Sequence, residues 1–257
     1  MQIVVCVKAV SESFIQHQSD GAHDHKVINP YDLYALQKVL SCPKVSEHHV
    51  TCICVGPESA KAVLTRCLAM GADEAVLLSD QAFAGSDTYA TSFILSEAIA
   101  RMKGCHMVVC GQRAVDGETG QVVYSLAKRL GFVCADGVIS LQSLEDDGVI
   151  VDCEVNDYIE TRHYGFPILL SFRDFSLDEG DISLFALKRA KNMKITLWDA
   201  KELQLDEMSC GLKGSKTRVI CAETILSGRD IQMLDGSQAE QANTLQRIIA
   251  KRICEGK

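Results

Sequence analysis

The sequence predicts an α/β fold: a mostly parallel sheet with helices on both faces, a small antiparallel addition and an extended C-terminal arm. Three observations carry that prediction. Short apolar runs alternate with helix-period segments through the first half of the chain, which is the pattern of consecutive βα units. Beyond Gly131 the alternation gives way to two strand-like runs joined by a turn. With 257 residues, 47% of them hydrophobic and 23% charged, the chain is globular in composition and long enough for one large domain or two ordinary ones.

Ile3 to Val7 is a strand without polar alternation, as a strand buried on both faces should be. Asn29-Pro30 opens a helix through Leu40, with Asn29 at the N-cap and proline in the first turn. Val50 to Val55 is a second strand ended by Gly56-Pro57, and Ser59 to Met70 a helix stopped by Gly71. Ala75 to Leu78 is a third strand. Asp87 caps a helix to about Lys103, and His106 to Cys110 is a fourth strand ending on Gly111. The loop Gln112 to Glu118 leads into a helix expected from Thr119 to Leu130.

Val138 to Leu144 and Val149 to Glu154 then form a hairpin around Glu145-Asp146-Asp147-Gly148. Phe166 to Phe172 adds a strand that Pro167 pushes towards an edge or a start. From Arg173 to Asn192 the chain reads as polar and irregular, although Ile182, Leu184, Phe185 and Leu187 carry more apolar surface than a free loop needs. A strand-like run at Thr217 to Ala222 and a last helix at Gln238 to Ile253 complete the chain. We therefore expect an α/β domain over residues 1–195 and an arm over residues 196–257 that lies across another subunit.

A net charge of −8 is the wrong sign for neutralising many phosphates, so nucleic acids and anionic membranes are poor partners. The N-terminus reaches Lys8 after too few apolar residues for a signal peptide, and nothing approaches the ~18 apolar residues of a membrane span. A cytoplasmic protein is expected. The twelve cysteines are scattered without a Cys-x-x-Cys pair, which fits reduced core residues better than a metal site. His17, His23 and His25 with Asp20 and Asp24 resemble a metal cluster, but their polar surroundings supply nothing to fix a geometry, and no metal is expected.

Neither Gly-x-Gly-x-x-Gly nor a Walker sequence occurs, so position must locate a ligand. Open parallel sheets bind ligands outside the carboxyl ends of their strands, where the strand order reverses. Four segments fall at such ends: Cys6-Val7-Lys8, Asn29-Pro30-Tyr31-Asp32, Val55-Gly56-Pro57 and Gly111 to Gln121. In the last, Asp116-Gly117-Glu118-Thr119-Gly120-Gln121 joins a strand to a helix, where free N–H groups and the helix dipole attract phosphate. Asp116 and Glu118 would repel phosphate unless they cap the helix or face ribose hydroxyls, and the loop serves equally well as mere capping, since aspartate and threonine, as at Asp116 and Thr119, are ordinary N-cap residues.

Five stretches resemble the beta, or small, subunit of electron-transfer flavoproteins. They are Val4 to Lys8; Asn29-Pro30-Tyr31-Asp32 with Ala35-Leu36; Ala69 to Asp73; Cys110 to Val122; and Gly211 to Ser215 with Thr217-Arg218-Val219. The resemblance implies a Rossmann-like fold and a heterodimer with an alpha subunit that holds an electron-carrying FAD. It also implies an adenine-containing cofactor in this subunit: structural AMP in one branch of the family, and in the electron-bifurcating branch a second FAD that takes hydride from NADH.

Carried over by position, Cys6, Val7, Lys8, Asn29, Pro30, Tyr31, Asp32, Val55, Gly111 and the stretch from Ala114 to Ser125 would bind that cofactor. Within the stretch these are Ala114, Val115, Asp116, Gly117, Glu118, Thr119, Gly120, Gln121, Val122 and Ser125. Asp116 to Val122 looks more like the second-FAD branch, so FAD is favoured over AMP; Val123-Tyr124 stands where the family commonly has Gly-Pro. Leu184 corresponds to the leucine that inserts into a partner flavin dehydrogenase. The expected function is thus an electron-carrier subunit with a possible NADH-oxidising flavin site and no catalytic side chain of its own. The competing reading of another class is a nucleotide-binding sensor without a redox role.

Overall fold

Strand β1 (Gln2–Cys6) is buried on both faces: Ile3 and Val5, with Val7 just beyond the strand, point into one apolar core, and Val4 and Cys6 into another. The computed structural model describes residues 1–16, 25–220 and 233–255. Two compact units are present, Met1–Arg218 and Val219–Lys257, so the first runs on past residue 195.

In the first unit, β2 (Ala9–Ser11), α1 (Ser13–Gln16) and β3 (Lys26–Ile28) follow β1, with β2 and β3 forming a small antiparallel ribbon. The chain continues through α2 (Pro30–Leu40), β4 (His49–Val55), α3 (Lys61–Met70) and β5 (Glu74–Leu78). It then enters α4 (Thr88–Arg101), β6 (Cys105–Gly111) and α5 (Val122–Leu130). After these come β7 (Val133–Leu144), β8 (Gly148–Val155), β9 (Tyr158–Gly165) and β10 (Ile168–Phe172). The unit closes with α6 (Leu184–Asn192), β11 (Ile195–Trp198) and α7 (Gly211–Gly214).

The sheet has nine strands in the order β11-β5-β4-β1-β6-β10-β7-β8-β9. Neighbours from β11 to β7 are parallel, and β7-β8-β9 is an antiparallel meander. Helices α2 and α3 cover one face through Leu33, Leu36, Val39, Val63 and Leu64. Helices α4 and α5 cover the other through Ile94, Leu95, Ile99 and Leu126. The α/β class, the parallel core and the antiparallel addition therefore stand as expected.

Several local expectations do not. Residues 119–121 are not helical: Glu118 and Gly120 have φ of 48° and 62°, so α5 begins only at Val122. Of the two places offered to Pro167, the start is the one found and the edge is not: β10 is fully buried between β6 and β7, and Pro167 lies just before its first residue, outside the ladder. The stretch from Arg173 to Asn192 is not wholly irregular, because Ser183 caps α6 by accepting from the Ala186 N–H. Strand β9 is exposed along nearly its whole length and so lacks the apolar alternation that marks a strand. Thr217 to Ile220 form no strand, and residues 221–222 fall outside the described residues.

The second unit contains α8 (Gln238–Glu255), close to the expected last helix. Leu245, Ile248 and Ile249 lie on one side of it by spacing, and all three are exposed. Among the described residues no helix is long and apolar enough to cross a membrane. Ten of the twelve cysteines are described as free thiols, and all but Cys105 and Cys134 of these are buried. No metal-holding group of His, Cys, Asp or Glu occurs among the described residues; His17, Asp20, His23 and Asp24 lie outside them.

Candidate functional site

From β1 the chain builds outward through β4 and β5, then crosses back to add β6 on the other side of β1. The sheet's switch point therefore lies between the carboxyl ends of β1 and β6. Lys8 stands just beyond the first end and the Gln112–Gln121 loop beyond the second.

Asp32, buried in the first turn of α2, ties these two ends together. One of its oxygens accepts the Lys8 N–H at 2.8 Å, and the other the Gly111 N–H at 3.0 Å. Burial pushes its pKa up to about 6, against hydrogen bonds from Lys8, Asn29 and Gly111 that favour the charged form. Asn29 holds the N-cap position of α2, but its side chain does not cap that helix. It reaches the loop instead, donating to the Arg113 carbonyl at 2.9 Å and accepting the Val115 N–H at 3.2 Å. The Tyr31 ring packs against that of Phe175 in a tilted contact, with centroids 5.6 Å apart, and the Arg113 guanidinium lies 5.4 Å from the Tyr31 ring centre.

Lys8 Nζ and Asp116 Oδ1 form an ion pair of 2.6 Å across the switch point. Asp116 is thus no helix cap, and α5 has neither a side-chain cap nor an acidic residue in its first turn. Its leading N–H groups, which no helical carbonyl can satisfy, are left for another acceptor. Loop residues Gly117 and Glu118 fold back by donating their N–H groups to the Ala114 carbonyl at 3.2 and 2.8 Å. A Cβ added to Gly117 would meet nothing within 4 Å, whereas Gly120 sits over the Gln112 carbonyl.

Hydrogen bonds thus bring together Lys8, Asn29, Asp32, Gly111, Val115 and Asp116 from segments far apart in the sequence. Cys6 and Val7 form the adjoining end of β1, and the Cys6 thiol neighbours that of Cys110. Val55 ends β4 on the far side of β1, and Val122 and Ser125 belong to the first turns of α5. Leu184 lies elsewhere, at the start of α6, and is 85% exposed. Sequence reasoning passes over Asp136 of β7. Its carboxylate accepts from Tyr124 Oη at 2.5 Å, Ser171 Oγ at 2.7 Å and Gln112 Nε2 at 3.3 Å. No motif marks it, because its partners come from three other segments.

Residues 21–203 match the model of the electron transfer flavoprotein domain. An electron transfer flavoprotein subunit beta from Thermoanaerobacterium thermosaccharolyticum is 34% identical over 230 residues, covering 88% of this chain and 87% of that protein. The caffeyl-CoA reductase-Etf complex subunit CarD of Acetobacterium woodii is 33% identical, covering 85% of this chain and 86% of its own. The chain belongs to the electron-transfer flavoprotein beta subunit family. A third relative, protein FixA of Azorhizobium caulinodans, is 31% identical over 98% of this chain and 95% of its own length.

Membership of the electron-transfer flavoprotein family implies flavin-related electron transfer, and its beta subunits normally pair with an alpha subunit. The residues at the switch point suit a phosphate group: one lysine, an uncapped helix start and a glycine facing open space.

Proposed function

We propose that this electron-transfer flavoprotein beta subunit binds FAD at the β1/β6 switch point and works in a bifurcating complex with NADH as hydride donor. Electrons would then pass through the FAD of the alpha subunit to or from a partner flavin dehydrogenase. The observation that carries the reading is the uncapped start of α5, facing the switch point behind a loop that is tied to β1 by Lys8 and Asp116. The preference for FAD over AMP rests on the likeness of Asp116 to Val122 to the second-FAD branch.

A bound flavin supplies hydride and single-electron transfer. The protein's own residues hold and orient it. The leading N–H groups of α5 and the Lys8 ammonium would hold the negative phosphates, which would compete with Asp116 for Lys8. Asp32 and Asn29 keep the two strand ends and the loop in register. Leu184, exposed at the capped start of α6, is the anchor for the dehydrogenase, and residues 196–257, of which those from Val219 form a unit of their own, supply the arm for the alpha subunit. The complex acts in the cytoplasm.

The test is the cofactor content of this chain co-purified with its alpha subunit. Two FAD per heterodimer, with flavin bleaching on addition of NADH, is the expected result. One FAD and one AMP would assign the chain to the non-bifurcating type instead.

A further inference from the structure

We propose that Asp136 is a positioning residue that closes the Gln112–Gln121 loop at both of its ends and so holds it in shape before any nucleotide arrives. This proposal rests on the nucleotide reading of that loop given above.

Asp136 lies on β7, outside the loop and outside the Lys8–Asp32 constellation. Its carboxylate takes the Gln112 side-chain amide from the residue that begins the loop. It also takes the Tyr124 hydroxyl from the first turn of α5, just past the loop's end. Ser171, on the buried strand β10, donates a further hydrogen bond to it, so the clamp is fixed to the sheet and not only to the loop. The Gln112 backbone N–H is held as well, donating to the Phe172 carbonyl at 2.8 Å.

The charge state suits the task. Burial works against the charged form of Asp136, yet hydrogen bonds from Tyr124, Ser171, Gly137 and Gln112 hold its carboxyl below the usual range. The facing Tyr124 phenol is pushed up to about 12, first by its bond to Asp136 and then by burial. At neutral pH the pair is a neutral donor on an ionised acceptor, the stronger class of hydrogen bond. Between its anchored ends the loop holds Glu118 at a φ of 48°, a conformation that a non-glycine residue of a free chain samples rarely. Fixing the ends in advance removes part of the ordering cost that a ligand would otherwise meet.

The test compares the full-length chain with Tyr124→Phe, Asp136→Ala and Asp136→Asn. Hydrogen exchange of amides 113–121 and binding of AMP and FAD are measured on each. In Tyr124→Phe and Asp136→Ala the loop amides should exchange about ten-fold to a hundred-fold faster and both nucleotides bind more weakly by a similar factor, the worth of one or two charge-assisted hydrogen bonds. Amides of β1, β4 and β6 should be unchanged. Asp136→Asn, whose amide oxygen still accepts from Tyr124, should recover part of the loss. Tyr124→Phe keeps the test intact should Asp136→Ala fail to fold, because Tyr124 lies at the surface. Unchanged loop exchange, or unchanged affinity, in Tyr124→Phe would overturn the proposal. Failure of the unaltered chain to bind either nucleotide would instead overturn the nucleotide reading on which it rests.

Discussion

Asp32 and Gly111, 79 residues apart, meet at the floor of the switch point, where a carboxylate oxygen accepts the glycine N–H at 3.0 Å. The approach leaves no room for a side chain. A Cβ on Gly111 would lie 2.6 Å from Asp32 Oδ1 and equally close to the Tyr31 backbone and Cβ. Gly111→Ala should therefore destabilise the protein by about 1–3 kcal/mol, the usual cost of overpacking a rigid site. Urea unfolding measures it, and a variant as stable as the parent would contradict the packing described.

Asp32 also sets a pH dependence. Its folded pKa, about 6, lies above the 3.8 of an ordinary aspartate because it is buried. The folded chain therefore holds the proton that the unfolded chain releases between those values, and the contribution of Asp32 to stability falls as pH rises from about 4 to about 6. Two pKa units correspond to ~3 kcal/mol. Subtracting the unfolding free energy of Asp32→Asn from that of the parent, pH by pH, should leave a difference that declines across this window. A flat or rising difference would refute it.

Asp87 joins two parts of the first unit. One oxygen caps α4 through the Tyr89 and Ala90 N–H groups, and the other accepts the N–H groups of Lys216 and Thr217 at 2.7 and 2.8 Å. Asp87→Ala should cost about 1 kcal/mol from the lost cap alone and hasten proteolytic cleavage near residue 217. Burial opposes the charged form, but the bonds from Ala90, Thr217 and Lys216 hold this carboxyl below its usual range. Its stabilisation is thus present above the unfolded value near 4 and lost as pH falls below it.

Leu184 and Phe185 are 85% and 79% exposed at the start of α6. Leu184→Ala should change stability by no more than about 0.5 kcal/mol, since little surface is buried there. Flavin content should stay the same while electron transfer to the partner dehydrogenase slows. Stopped-flow reduction of the complex by that dehydrogenase separates the two effects, and an unchanged rate would remove Leu184 as the anchor.

Cys54 is buried and Cys105 and Cys134 are half-buried, and loss of solvent pushes their thiols up, to about 12, 11 and 12. Maleimide at neutral pH should label these three only slowly in the folded chain and quickly in urea, because the thiolate is the reacting form. Mass spectrometry of the labelled peptides reads the outcome, and rapid native labelling would show that the sites open.

The sequence by itself determined the α/β class, the succession of strands and helices in the parallel core, and the segments that fall at the carboxyl ends of its strands. Uninterrupted apolar strands such as Ile3 to Val5, and glycines such as Gly71 and Gly131, state local conformation directly. What lacks a local signature was decided by tertiary structure. Strand β9 buries almost nothing, so no alternation betrays it. Strand β10 is central only because β6 and β7 flank it, which its own residues cannot express. The same holds at the site. Asn29 reads as a helix cap and Asp116 as a capping acid, yet the fold brings a loop to one and a lysine to the other. Asp136 carries no pattern at all; its hydrogen-bonding partners arrive from β10, α5 and the loop, and only their convergence gives its carboxylate a role.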